Sequence, residues 1–118
     1  MTKEDLKERT MNFALRVLKM AEAMPKGVAG RTVANQVARS GCSVAANYRA
    51  ALRGKSRADF INKITTVLEE ADETAFWIEL TGRSGLLPPN RIKRLHTEAE
   101  ELTRIFNATR STTRNHKS

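Results

Sequence analysis

Six basic side chains between positions 31 and 57 have the charge and spacing needed to bind phosphate groups. An arginine guanidinium donates paired hydrogen bonds to phosphate oxygens, and a lysine ammonium group attracts them as a point charge. No acidic residue lies between Ala23 and Ala58 to neutralise this set locally. We therefore expect contact with a nucleic-acid backbone and little sequence readout. The candidate nucleic-acid-binding residues are Arg31, Arg39, Arg49, Arg53, Lys55 and Arg57.

The charge pattern also allows a structural interpretation. Between Ile64 and Gly82 the sequence holds five carboxylates and no basic residue. Some of these carboxylates are expected to pair with the arginines, either within one subunit or across an interface. Because the arginines spread over about 33 Å of predicted helix, pairing cannot account for all of them.

The sequence contains no complete catalytic pattern. Glu69, Glu70 and Glu73 match the EExxE metal-binding pattern of all-α nucleotide pyrophosphohydrolases. Those enzymes need a second acidic pair on a later helix, and no aspartate follows Asp72. There is no Glu-x-x-His pair and no P-loop. We predict a non-enzyme with no catalytic residue, no metal site and no cofactor.

Length and composition predict one small helical domain. The chain has 118 residues, of which 40% are hydrophobic and 29% charged, and its net charge is +8. This charge favours a polyanionic partner, although a basic surface can also serve solubility alone. Cys42 is the single cysteine, so no internal disulfide can form. With no apolar run of about 20 residues and no signal peptide, we expect a cytoplasmic protein without a membrane partner.

Hydrophobic periodicity and capping residues predict four helices. Thr2 with Asp5, and Ser56 with Asp59, have the spacing of capping boxes. The short links favour an all-α fold, a single-domain antiparallel up-down-up-down four-helix bundle over residues 1–110. Residues 111–118 lack apolar side chains and are predicted to be a basic, disordered tail. The predicted helices cover about 3–24, 31–53, 57–81 and 90–109.

The second predicted helix has two different faces. Apolar and small residues fall on one side of a helical wheel, and the arginines fall within roughly a quarter-turn of each other on another side. This pattern passes through Gly41 without losing phase. The helix is therefore expected to be continuous, with one face in the core and one face electropositive.

Part of the third predicted helix is apolar nearly all round. Phe76, Trp77 and Leu80 point away from the core stripe, and aromatic residues are favoured at subunit interfaces. We interpret these three as a candidate oligomer interface. The alternative is local packing beneath the loop that follows the helix.

Residues 33–56 are similar to the DNA-binding end of TetR-type repressors, with Ser40-Gly41-Cys42 as the turn of a helix-turn-helix. Two features count against this interpretation. Such repressors carry a large ligand-binding domain after this segment, and only about 60 residues remain here. The core stripe also crosses Gly41 unbroken.

A closer resemblance covers positions 6–106. The residues that carry it are Arg39, Ser40, Ser43, Asn47, Tyr48, Ala51, Ser56, Asp59, Phe60, Ile61, Lys63, Glu70, Ala71, Glu73, Thr74, Trp77, Ile78 and Leu80. At these positions the sequence resembles the four-helix-bundle family encoded in bacterial 23S rRNA intervening sequences, which includes the accessory variability protein of diversity-generating retroelements. The family pattern has a glutamate where this chain has Ala50, which makes the local surface more positive.

This resemblance implies more than the residues do. It implies a ring-shaped homo-oligomer, a pentamer, with a basic surface for RNA or DNA and, in retroelement members, a reverse-transcriptase partner. Within that fold, Asn47, Glu70 and Glu73 would form a structural polar network between the second and third helices. The function predicted is a non-enzymatic, oligomeric nucleic-acid-binding bundle. The alternative is a protein-interaction scaffold that binds no nucleic acid.

Overall fold

The computed structural model describes residues 1–115, and these form four α-helices with no strand. This confirms the all-α, single-domain four-helix fold expected from the sequence. The principal extents are 51 × 21 × 19 Å. The helices are α1 (Lys3–Glu22), α2 (Val28–Ala51), α3 (Arg57–Arg83) and α4 (Pro89–Asn115).

Each helix packs against the next one in the chain. The α1–α2, α2–α3 and α3–α4 pairs are in close contact, whereas α4 contacts α1 over far fewer residues. Short links between consecutive neighbours make these pairs antiparallel, so the bundle runs up-down-up-down. Consequently α2 and α4 run in the same direction, and the α1–α4 seam is the loosest of the four.

Side-chain caps fix two helix starts. Thr2 and Asp5 form a reciprocal capping box, with hydrogen bonds of 2.9 and 3.0 Å. The hydrogen bond from the Thr2 backbone N–H lowers the pKa of Asp5, because it stabilises the carboxylate. Ser56 caps α3 by accepting a hydrogen bond from the Asp59 backbone at 3.0 Å.

The start of α2 differs from the sequence prediction. The helix begins at Val28 rather than near position 31, after Gly27 with a φ of 130°. In its first turn, a Cβ on Gly30 would lie 1.8 Å from the carbonyl oxygen of Pro25. Glycine at this position therefore lets the connecting loop fold back on the helix. The other end is earlier than predicted, at Ala51.

The predicted disordered tail is wrong for residues 111–115, which continue α4. The hydroxyl of Thr113 donates to the Thr109 carbonyl at 2.8 Å, and Thr113 is half-buried. The helix therefore extends to Asn115, past the predicted end near position 109, through residues whose polar sequence does not predict it. The remaining tail residues, 116–118, lie outside the described part of the chain.

Helices α1 and α2 approach each other closely at Gly41. A Cβ on Gly41 would lie 2.6 Å from Cγ1 of Val17, which is fully buried. Helix α2 passes through Gly41 without interruption. The helix-turn-helix interpretation, which needs a turn at Ser40-Gly41-Cys42, is therefore wrong.

Two further contacts tie the core together across other helix pairs. The buried hydroxyls of Ser40 and Thr74 lie 2.8 Å apart and link α2 to α3. The rings of Tyr48 and Phe106 are 5.3 Å apart and join the last turn of α2 to α4. Burial raises the pKa of Tyr48, and the nearby charge of Glu4 adds to this.

Candidate nucleic-acid interface

The outer surface of α2 carries arginines, and the helix itself contains no carboxylate that could neutralise them. None of its residues is acidic, and both Arg31 and Arg49 are exposed. These two arginines are five helical turns apart, about 27 Å along the axis. Neither one pairs with a carboxylate in the described part of the chain. The predicted cationic face is thus present at both ends of α2.

The middle of this face is occupied by an ion-pair cluster. Arg39 Nη1 donates to Glu70 Oε2 at 3.1 Å, and Arg39 Nη2 contacts Glu73 Oε2. The indole Nε1 of Trp77 donates to the same Glu73 oxygen at 3.0 Å. Arg39 therefore links α2 to α3, and its guanidinium is less available to a phosphate than the sequence suggests.

The predicted network of Asn47 with Glu70 and Glu73 is wrong in one member. The Asn47 amide donates to the Ser43 carbonyl at 2.9 Å and to Ser43 Oγ at 2.7 Å, both within α2. Asn47 lies two helical turns beyond Arg39, about 12 Å along the axis. Arg39, and not the Asn47 amide, forms the link between α2 and the two glutamates of α3.

Three unpaired cations gather where α2 turns into α3, and we call this cluster the basic turn. Arg49, Arg53 and Lys55 are exposed, and none forms an ion pair among residues 1–115. Arg53 and Lys55 follow the end of α2, where helix carbonyls also favour positive charge. The nearby carboxylate of Asp59 accepts a hydrogen bond from the Lys55 backbone at 3.2 Å.

At this end of the bundle the structure places one cation that the sequence assigned elsewhere, and it shows that a second, predicted cation is already engaged. Arg114, assigned to the tail by sequence, is exposed on the last turn of α4. Since α2 and α4 run in the same direction, that turn lies at the same end as the basic turn. Arg57, the first residue of α3, is exposed but engaged with another group.

The apolar surface on α3 is smaller than predicted. Phe76 is 54% exposed and Leu80 is 36% exposed, so the loop that follows does not cover them. Trp77 is half-buried, packs against the core and bonds to Glu73. The Phe76 and Trp77 rings meet edge-on at 4.9 Å. Phe76 and Leu80 therefore remain candidate interface residues, whereas Trp77 belongs mainly to the subunit itself.

A second basic surface, absent from the sequence analysis, lies in the α1–α4 seam. It is a cleft of about 570 Å³, which we call the α1/α4 cleft. Its floor is apolar, formed by Met20, Ala23, Leu87, Ile92 and Leu95. Its rim carries four exposed cations, Arg16, Lys19, Arg91 and Arg94.

An ion-pair cluster closes the seam further along. Arg9 donates to both oxygens of Glu98 at 2.7 Å and to Glu101 at 2.7 Å. The hydrogen bond with Glu98 raises the pKa of the Arg9 guanidinium. The α1/α4 cleft thus opens next to this ion-pair cluster. In that part of the seam no ion pair between described residues joins α1 to α4.

A further apolar stripe was also missed. Met11, Leu15 and Leu18 lie along one outer side of α1 and are 47%, 54% and 39% exposed. Their i, i+4, i+7 spacing is a helical pattern that the sequence does contain. The core stripe on another side of α1 has the same period, so spacing alone does not separate the two stripes.

Neither a cluster of potential metal ligands nor a bilayer-spanning helix occurs among residues 1–115. Across residues 1–115, acidic, histidine and cysteine side chains nowhere gather in threes that could hold a metal ion. In the same range, no helix combines the length and apolar character needed to cross a bilayer.

The sequence of this chain matches the model of one known protein family. The model of the 23S rRNA-intervening sequence protein family matches residues 2–108. The chain belongs to this family. This confirms the family resemblance found in the sequence. The comparison with curated proteins finds no match.

A solved structure supports the membership of the 23S rRNA-intervening sequence protein family. It is a crystal structure from Bacteroides thetaiotaomicron VPI-5482, described as a protein of unknown function from the S23 ribosomal protein family. The two chains are 29% identical, with a TM-score of 0.86 over 94% of this chain and 99% of the other. Neither description names an enzymatic activity.

Proposed function

We propose that this family member is a non-enzymatic, self-associating bundle that binds the backbone of RNA or DNA through its basic turn. The observation that carries this proposal is the group of Arg49, Arg53 and Lys55, which are exposed and without ion pairs in the described residues. Exposed cations of this kind bind the phosphates of a nucleic acid, and binding is favoured because counterions condensed on the nucleic acid are released. A net charge of +8 adds a long-range attraction for polyanions.

The surface favours backbone contact over base readout. Single-strand platforms stack bases on exposed aromatic rings. Here Tyr48 is buried, Phe60 and Trp77 are half-buried against the core, and Phe76 lies far along α3 from the basic turn. We therefore expect little dependence of affinity on sequence. The family's name and the ribosomal description of the similar structure favour RNA as the first ligand to test.

Other parts of the proposal rest on the family resemblance. They are a ring of five copies and, for a chain encoded beside a retroelement, a reverse-transcriptase partner. A cytoplasmic location is proposed from the sequence itself, which holds no apolar run of about 20 residues. The exposed Phe76 and Leu80 support self-association, because uncovered apolar side chains on one helix face favour a subunit contact.

Charge reversal at the basic turn tests the nucleic-acid part. We expect Arg49→Glu with Arg53→Glu to weaken binding of a mixed-sequence single-stranded RNA by roughly 10- to 100-fold at low salt, because two phosphate contacts become repulsions. Fluorescence anisotropy with a labelled oligonucleotide measures the dissociation constant. Circular dichroism checks that the helices persist.

A matched control makes the same charge change elsewhere. Lys93 and Arg104 are exposed on α4, which lies diagonally across the bundle from α2. Reversing both to glutamate should weaken binding much less than the Arg49/Arg53 change. Equal losses from the two double variants would mean that net charge alone drives binding and would contradict a defined site.

The alternative function is a protein-interaction scaffold, and the exposure of Phe76 and Leu80 is the observation that favours it. That function predicts an assembled protein that binds neither RNA nor DNA. Light scattering combined with the anisotropy titration on one sample separates the two functions.

A further inference from the structure

The α1/α4 cleft combines an apolar floor with cations that have no partner. Met20, Leu87, Ile92 and Leu95 keep 5–7% of their surface exposed along this seam, whereas Val44 in α2 is fully buried. None of the four rim cations forms an ion pair within residues 1–115. A surface that combines acidic residues with a few apolar side chains would complement such a cleft in both charge and polarity.

The outer surface of α3 has that complementary chemistry. Asp72, Phe76, Glu79 and Leu80 share one helix face, and we call them the α3 patch. Asp72 has no ion pair with a described residue, and Glu79 pairs only with its own helix neighbour Arg83 at 3.0 Å. The groove beside the patch is also lined by Glu100, together with His96 and Arg104.

We infer that the α1/α4 cleft of one copy receives the α3 patch of a second copy. Phe76 and Leu80 would cover the apolar floor, while Asp72 and Glu79 would meet the cationic rim. This inference rests on the self-association part of the proposed function and is independent of nucleic-acid binding. It leaves the basic turn uncovered, because the cleft lies in the opposite half of α4 from Arg114.

The two surfaces lie on different sides of the subunit, so the contact is head-to-tail. The cleft is formed by α1 and α4, whereas the patch lies on α3, which makes no close contact with α1. Each copy therefore offers one cleft and one patch. A repeated contact of this type closes into a ring when its rotation allows closure.

Charge reversals on the two surfaces test the pairing. The cleft variant carries Arg16→Glu with Arg94→Glu, and the patch variant carries Asp72→Arg with Glu79→Arg. Light scattering at micromolar concentration should find the wild type at a multiple of its 13.2 kDa chain mass and each variant at the mass of one chain. A wild type at single-chain mass, or either variant at wild-type mass, would overturn the inference.

Mixing the two variants gives the sharper result. Each retains one unchanged surface, and the two reversed surfaces again have opposite charge, so an equimolar mixture should regain a mass above one chain. Recovery also shows that both variants are folded, and a mixture that stays at single-chain mass overturns the inference.

The Arg49/Arg53 variant distinguishes this inference from nucleic-acid binding. It makes the same charge change as the cleft variant but should keep the wild-type mass while losing RNA affinity. The cleft variant should lose much less affinity than the Arg49/Arg53 variant for an RNA short enough to span one subunit, and the patch variant should lose none. If the Arg49/Arg53 variant also falls to single-chain mass, the pairing assigned here is overturned.

Discussion

Replacing Gly41 with alanine is expected to lower the free energy of unfolding by about 2 kcal/mol, because an overpacking cost of about 3 kcal/mol exceeds the roughly 1 kcal/mol that alanine gains over glycine within a helix. The new Cβ would lie 2.6–2.9 Å from three side-chain atoms of Val17, closer than real Cβ contacts allow. Val17 is fully buried, and its β-branched side chain has one preferred rotamer in a helix. Helices α1 and α2 must therefore move apart. Urea denaturation at constant protein concentration measures the loss.

Gly82 provides the matched control for this substitution. It lies in the last turn of α3, where a Cβ would be 3.1 Å from Cδ1 of Ile92 and at ordinary contact distances of 3.9 and 4.0 Å from Cα of Pro89 and Cγ1 of Ile92. The tip of this side chain can shift, and alanine gains about 1 kcal/mol over glycine in helix propensity. We expect Gly82→Ala to be neutral or stabilising. A Gly41→Ala protein as stable as Gly82→Ala would show that α1 and α2 do not depend on the close approach.

Truncation of Phe106 to alanine should cost about 3–5 kcal/mol, the range for removing a buried aromatic side chain. The ring is fully buried and packs on Tyr48 with 5.3 Å between centroids. Its loss leaves a cavity between the end of α2 and α4. The midpoint of urea unfolding reports the change, provided that the denaturant slope stays the same.

The neighbouring position supplies the comparison for Phe106. Asn107 is exposed on the same helix, where its side chain accepts only a 3.4 Å hydrogen bond from Arg110. Asn107→Ala should change stability by less than about 0.5 kcal/mol, since it removes no core contact. Similar losses at both positions would instead indicate that α4 is sensitive to any change in this turn.

The helices themselves could be predicted because their signals are local. Spacing of apolar residues and the caps at Thr2 and Ser56 are present in short segments of sequence. The start of α2 depends on a carbonyl of Pro25 packing at Gly30, and the last turn of α4 continues to Asn115 through residues without apolar side chains. Neither feature has a local sequence signal, so both boundaries were misplaced.

The candidate site was predictable in charge but not in pairing. The absence of acidic residues from α2 is visible in the sequence, and the structure leaves Arg31 and Arg49 exposed and without ion pairs among residues 1–115. Which arginine is taken up by carboxylates depends on helix rotation, and that selects Arg39 for Glu70 and Glu73. The α1/α4 cleft could not be predicted, because it joins segments about 70 residues apart through a seam that only the packing defines.

The salt dependence of RNA binding tests the proposed role of the basic turn most directly. Anisotropy titrations over a series of salt concentrations give the slope of log affinity against log salt for the wild type and for the Arg49→Glu/Arg53→Glu variant. If each arginine neutralises one phosphate, the wild-type slope should be steeper by about 1.4, roughly 0.7 per contact with a single strand. Equal slopes for the two proteins, or wild-type binding that does not change with salt, would contradict it.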